Sequence, residues 1–191
     1  MILAAGTMGQ MMEPVSLELG EVKDYDKPWA TTGTANHEGR NIINSLSLNA
    51  TQLEEWNLNR YQRYEIIERD EVMYEEFMME DADICIVSFG IAARIAKNAI
   101  MEARKQGLKV GMIRPITLWP FPKDALKKAA SKVKAFLSVE LNMGQMVEDV
   151  KLSINCAKPV YFYGRTGGVL MSPNEVVDKL LKIEKGEAKE W

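Results

Sequence analysis

The 191-residue chain has one histidine and two cysteines, no excess of basic charge, and no apolar run near the ~18–20 residues of a membrane span. Each shortage excludes something. Zinc and iron–sulfur sites take about four ligands, so Cys85 and Cys156 cannot build one by themselves, and a lone His37 argues against a histidine-based metal site. No metal ligand is assigned. Both cysteines stand in apolar company, as in Ile84-Cys85-Ile86-Val87, and are expected to be reduced, buried thiols. The 24 basic and 27 acidic side chains leave a net charge of −3. That balance excludes a generally basic binder of nucleic acid or anionic membrane. The first basic residue is Lys23, and Glu13 interrupts the opening apolar stretch, so a signal peptide is not expected and the reading is cytoplasmic. The phosphate loop GxxxxGK[ST], GxGxxG, GxSxG and CxxC are all missing. No catalytic and no cofactor-binding residue is therefore assigned.

With 47% apolar and 27% charged residues, the chain can bury a core. Residues 1–5 (Met-Ile-Leu-Ala-Ala) read as a short buried strand with nothing before it to pair with, as if cut from a larger sheet. Residues 14–40 hold Pro14, Gly20, Pro28, Gly33 and Gly39 without periodicity and read as an extended arm. Self-association through this arm is a further expectation, because an orphan apolar strand leaves surface to cover. Leu53, Trp56, Tyr61, Tyr64 and Ile67 recur near the helical period and predict a helix over about 51–68, its aromatic stripe used for packing. A second helical stretch is expected near 70–79. Residues 65–83 carry nine acidic side chains against Arg69 alone and read as a solvated helix face.

From residue 82 the pattern alternates. Apolar runs at 84–89, 109–113, 135–141 and 159–163 read as buried parallel strands. The segments between them read as helices, and Ser172-Pro173-Asn174-Glu175 is a capping box opening the last helix. The fold class is α/β, a three-layer α/β/α arrangement on a mainly parallel sheet.

Three loops could carry chemistry. Ser88-Phe89-Gly90-Ile91-Ala92 opens a helix and could face an anion, though a plain tight turn is the simpler reading. Glu140-Leu141-Asn142-Met143-Gly144-Gln145 ends a strand with a carboxylate, two amides and a glycine, and the amides can orient a ligand or a partner's backbone or equally cap the next helix. Tyr163-Gly164-Arg165-Thr166-Gly167-Gly168 combines flexible backbone with an arginine suited to phosphate or carboxylate, or is a surface turn. His37 reads as an ordinary loop histidine. The candidates for facing a partner or coenzyme A are Asn142, Gln145, Arg165, Gly167 and Gly168. One short echo is also present: Met8-Gly-Gln-Met-Met-Glu-Pro-Val15 repeats as Met143-Gly-Gln-Met-Val-Glu-Asp-Val150.

Three segments in order, Val110-Gly-Met-Ile-Arg-Pro-Ile-Thr-Leu-Trp-Pro-Phe-Pro122, Val139-Glu-Leu-Asn-Met-Gly-Gln-Met-Val-Glu-Asp-Val150 and Gly164-Arg-Thr-Gly-Gly168, carry a family resemblance. Together they resemble the C-terminal part of the α subunit of 2-oxoacid:ferredoxin oxidoreductases, with the 2-oxoisovalerate (3-methyl-2-oxobutanoate) type the best match. The resemblance implies three regions: residues 1–15 as a remnant of the pyrimidine-binding domain, 16–81 as connecting arm and helices, and 82–191 as a domain like the transketolase C-terminal domain. It implies a complete enzyme that oxidatively decarboxylates a 2-oxoacid, forms acyl-coenzyme A and reduces ferredoxin. Thiamine diphosphate and iron–sulfur clusters would be bound elsewhere, with a β subunit and a ferredoxin-like subunit as partners and none of these cofactors held by this chain. The front of the subunit, with the carboxylate that activates thiamine, has no counterpart here. Other readings are a purely structural module, a free-standing anion- or nucleotide-binding domain, and the equivalent domain of a lipoamide-linked 2-oxoacid dehydrogenase.

Overall fold

The computed structural model describes residues 1–191 apart from 5, 13, 15, 19, 22 and 35–38, so the reading of His37 lies outside the described residues. The chain divides into two units, residues 12–64 and residues 1–11 with 65–191.

In the first unit, Asn41 holds an extended segment by donating from Nδ2 to the carbonyls of Pro28 and Ala30. Helix α2 (Ala50–Asp70) follows the single turn α1 (Gly6–Gly9) in chain order. Asn49 opens α2, its Oδ1 accepting from the Gln52 amide at 3.1 Å. The expected packing of the aromatic stripe is not met: α2 buries none of its side chains, and Trp56, Tyr61 and Tyr64 are exposed. A helical period alone does not say what, if anything, lies against the stripe.

The second unit is built on a five-stranded sheet in the order β1-β3-β2-β4-β5, with β1 (Tyr74–Phe77), β2 (Ile84–Ser88), β3 (Val110–Pro115), β4 (Ala135–Glu140) and β5 (Val160–Gly164). Strands β2 to β5 are parallel; β1 runs antiparallel along β3, Tyr74 opposite Pro115. Four helices connect and cover them: α3 (Gly90–Lys105), α4 (Lys123–Ala130), α5 (Met146–Ser153) and α6 (Pro173–Glu184). Side chains alternate between faces along each strand. Ile84, Ile86, Met112 and Leu137 pack with α3 and α6, whereas Cys85, Val87, Ile113 and Phe136 pack with α4 and α5. This is the expected three-layer arrangement. Ala92, Ala93, Ala96, Ala99 and Ala103 line the buried side of α3, and their small side chains let that helix lie close to the sheet. The α3 terminus is closed by Leu108 N to Ala103 O and Gly107 N to Arg104 O. The capping box of α6 forms as expected, Ser172 and Glu175 exchanging bonds.

Four local expectations are corrected. The described residues of segment 1–5 form no strand, and neither edge strand, β1 nor β5, pairs with them. Residues 74–77 form a strand rather than a helix, because β3 offers an edge that Tyr-Glu-Glu-Phe can pair with. The acidic run is accordingly not one helix face. Its carboxylates are spread over ion pairs from Glu68 to Lys123, Asp81 to Arg104 and Asp83 to Lys134. Cys156, expected to be buried, is exposed just beyond α5, while Cys85 is fully buried and desolvation pushes its thiol up to about 12.

The edge strand carries a testable charge pair. Glu75 accepts both Arg114 nitrogens, at 2.8 and 2.9 Å, and a longer bond from Lys97. Chiefly through the Arg114 bonds, its carboxyl is held down at about 2 from 4.5. A lowered carboxyl pKa contributes stability above the ordinary value and loses it as pH falls towards the folded-state value. Both partners are partly exposed, so the contribution is at most about 1 kcal/mol. Glu75→Gln is expected to flatten the fall in stability between pH 4.5 and 2 in denaturation curves. An acid limb identical to wild type would show that the pair contributes nothing.

Candidate functional site

The strand order sets the position of the site. From β2 the chain crosses by α3 to β3 on one side, then by α4 to β4 on the other. The carboxyl ends of β2 and β4 therefore flank a switch point, where open α/β sheets form a ligand crevice. A cavity of about 310 Å³ lies there, with Phe89, Gly90 and Ile91 on the β2 side and Glu140, Leu141 and Asn142 on the β4 side. A second, of about 180 Å³, is lined by Leu118, Phe121, Gln145 and Asp149. Burial pushes the Asp149 carboxyl up, and the nearby Glu140 and Glu148 charges push it further.

Glu140 organises this edge. It is 1% exposed at the end of β4. Its Oε2 accepts the amides of Gln145 at 3.1 Å and Met146 at 2.9 Å, and its Oε1 accepts the Val147 amide at 2.9 Å and the Ser138 hydroxyl at 2.8 Å. The carboxylate thus satisfies the free amides at the start of α5 and complements the positive end of that helix. The cap that the sequence allowed to the Asn142 and Gln145 amides is supplied instead by this carboxylate.

The candidate side chains fall into one neighbourhood, in two groups. Asn142 Oδ1 accepts the Gly144 amide at 2.7 Å, and its Nδ2 donates to Gln145 Oε1 at 3.5 Å, so both amide side chains close the β4–α5 loop on itself. Arg165 is paired with Glu175, whose carboxyl is held down at about 2, first by the Ser172 backbone bond and then by Arg165. The guanidinium is therefore tied to the α6 cap rather than unengaged. Gly167 and Gly168 are exposed in a turn that Val169 N closes on Thr166 O. The two loops meet at Gly164, where a Cβ would lie 2.5 Å from the Asn142 carbonyl oxygen. Ser88, from the β2 end, is buried and donates to Val139 O at 2.8 Å.

The arrangement does not fit the cofactors that the sequence resemblance attaches to the complete enzyme. Among the described residues no group of three or more His, Cys, Asp and Glu side chains could hold a metal ion. Cys85 lies inside β2 and Cys156 lies beyond α5, so no cluster can form on them. The one arginine of the candidate loops is paired with Glu175. No helix among the described residues is long and apolar enough to cross a membrane.

The family described as pyruvate:ferredoxin oxidoreductase core domain II matches residues 82–176, which take in β2 to β5 and the start of α6. Ketoisovalerate oxidoreductase subunit VorB of Methanothermobacter marburgensis is 39% identical over 183 residues, 95% of this chain and 51% of that subunit. The chain belongs to the 2-oxoacid:ferredoxin oxidoreductase family. It spans about half the length of the curated relatives it matches over nearly all of its own length. The solved 2-oxoglutarate:ferredoxin oxidoreductase from Magnetococcus marinus, with 2-oxoglutarate, coenzyme A and succinyl-CoA bound, aligns with a TM-score of 0.61. That alignment has 20% identity and covers 80% of this chain and 28% of that one. A split-gene transketolase, an inactive β4 tetramer, aligns with a TM-score of 0.50 at 19% identity, over 60% of this chain and 41% of that one. These two likenesses show the fold of this family member to be like the transketolase C-terminal domain.

Sequence reasoning identified the two loops but missed what anchors them. The Glu140 role was available from parity, since residues 136, 138 and 140 share the strand face that α5 covers. Trp191, which lies against Gly144, is too distant along the chain for any local signal.

Proposed function

We propose that this chain is the C-terminal part of the α subunit of a thiamine-dependent 2-oxoisovalerate:ferredoxin oxidoreductase. The complete enzyme forms acyl-coenzyme A and carbon dioxide and reduces ferredoxin in the cytoplasm. The chain itself serves assembly rather than chemistry. Residues 1–15 are the end of a pyrimidine-binding domain, 16–81 the connection, and 82–191 the assembly domain. Thiamine diphosphate and the clusters are held by the rest of the enzyme, including the β and ferredoxin-like subunits. Asn142, Gln145, Arg165, Gly167 and Gly168 face the β subunit, or coenzyme A delivered with it. The observation that carries this reading is the 39% identity with a ketoisovalerate oxidoreductase subunit over 95% of the chain. The self-satisfied loops support the assembly role, because side chains bonded to one another present a shaped surface rather than reactive groups.

The expected result is that the purified 191-residue chain does not bind thiamine diphosphate in calorimetry and reduces no ferredoxin with any branched-chain 2-oxoacid. It co-elutes with its cognate β subunit. Decarboxylation by the isolated chain, or failure to associate with the β subunit, overturns the proposal.

A further inference from the structure

The segment after α6 returns across the outer edge of β5. There the Trp191 amide donates to the Val160 carbonyl at 3.0 Å, and its own carbonyl accepts from Lys151 Nζ in α5. The backbone of this residue is thus tied to two elements at once. Its indole lies tilted on Phe162 of β5, with ring centroids 4.7 Å apart. The far edge of the same ring reaches the β4–α5 loop: a Cβ on Gly144 would lie 2.7 and 2.9 Å from indole carbons. Gly144 has φ +104, a conformation other residues rarely adopt, so both its backbone angle and the indole require glycine. The Gly144 amide is the one that Asn142 Oδ1 accepts, and Gln145 follows on Glu140. Met143, beside Gly144, is 73% exposed.

We infer that Trp191 is a positioning residue for the β4–α5 loop, a wedge that fixes the Asn142–Gly144–Gln145 conformation the β subunit recognises. The inference rests on the reading that this loop faces the β subunit, and it adds the residue that presets it. An aromatic ring packed on another ring and on backbone restricts the loop before binding, which lowers the ordering cost of association.

The test compares Trp191→Ala and Trp191→Phe with wild type in the full chain, by amide hydrogen exchange and by titration with the cognate β subunit. Trp191→Ala is expected to speed exchange of the Gly144 and Gln145 amides by roughly two- to tenfold, the range an aromatic contact supplies. Amides of α3 keep their rates, and the dissociation constant for the β subunit rises by a similar factor. Trp191→Phe, which keeps an aromatic ring on Phe162, restores most of both. Unchanged exchange at Gly144 and Gln145 overturns the inference. So does faster exchange throughout the sheet, which would make Trp191 a residue of general stability. Local loosening with unchanged β-subunit affinity instead overturns the reading that the loop faces that subunit.

Discussion

Glu140→Ala is expected to destabilise the sheet-bearing unit by on the order of 3–5 kcal/mol, because it strips a buried carboxylate from four donors. Three of those donors are the first amides of α5, which have no carbonyl of their own helix to bond. In wild type they share a charged acceptor that is 1% exposed, so alanine leaves them facing a cavity. Hydrogen bonds to a charged acceptor are the stronger kind, and the loss is that of a connected group rather than of one bond. Glu140→Gln should cost less, about 2–3 kcal/mol, since its amide oxygen still accepts while its amide nitrogen opposes backbone donors. Denaturant unfolding measures both. Hydrogen exchange should show the protection of the Gln145, Met146 and Val147 amides lost first. A midpoint within experimental error of wild type for Glu140→Ala would mean that α5 starts without this cap.

Gly164→Ala is expected to cost about 1–3 kcal/mol, the range for forcing a methyl into filled space. The new Cβ would lie 2.5 Å from the Asn142 carbonyl oxygen and still closer to the Phe162 ring. A flexible side chain could turn aside, but the carbonyl belongs to the backbone that leaves β4. Its neighbour Glu140 O also accepts the Arg165 amide at 3.2 Å, so the β4 and β5 ends move only together. The predicted readout is a lowered midpoint together with faster exchange of the Gly144 and Arg165 amides. Gly9→Ala makes the control, because its Cβ would meet nothing within 4 Å and its φ is not in the left-handed region. Equal midpoints for Gly164→Ala and wild type would show that the two loops are not in contact.

Both variants act at the edge that the sequence marked and the tertiary structure assembled. The parallel strands were legible because a strand covered on both faces must be apolar along its length, and Ile84–Ser88 and Ala135–Glu140 leave no other reading than burial until Glu140 is reached. The last helix was legible from Ser172 to Glu175, since a capping box is a local exchange of bonds. The loops Asn142–Gln145 and Gly164–Gly168 could be placed at one edge because parallel strands with right-handed crossovers all present their carboxyl ends together.

Other features depended on partners far along the chain. Tyr74-Glu75-Glu76-Phe77 shows no apolar alternation, and it becomes a strand only because β3 has an open edge and Arg114 and Lys97 stand opposite Glu75. The aromatic stripe of α2 announced a helix but not what covers it, since periodicity describes one surface and packing requires two. Cys156 followed its apolar neighbours on paper, yet the chain turns outward there, with Asn155 and Cys156 both at positive φ. The order β1-β3-β2-β4-β5 created the switch point between β2 and β4, and with it the crevice beside Glu140. By itself, then, the sequence determined the α/β class, the elements from residue 82 onward and the loops that carry polar groups, because local bonding and burial leave a pattern along the chain. The tertiary structure decided that Glu140 rather than the loop amides caps α5, that Arg165 is held by Glu175 and that Trp191 rests on Gly144. The first two join near neighbours whose choice of partner depends on how the loops fold; the last joins residues far apart in the chain, and the packing that brings those together leaves no mark on local sequence.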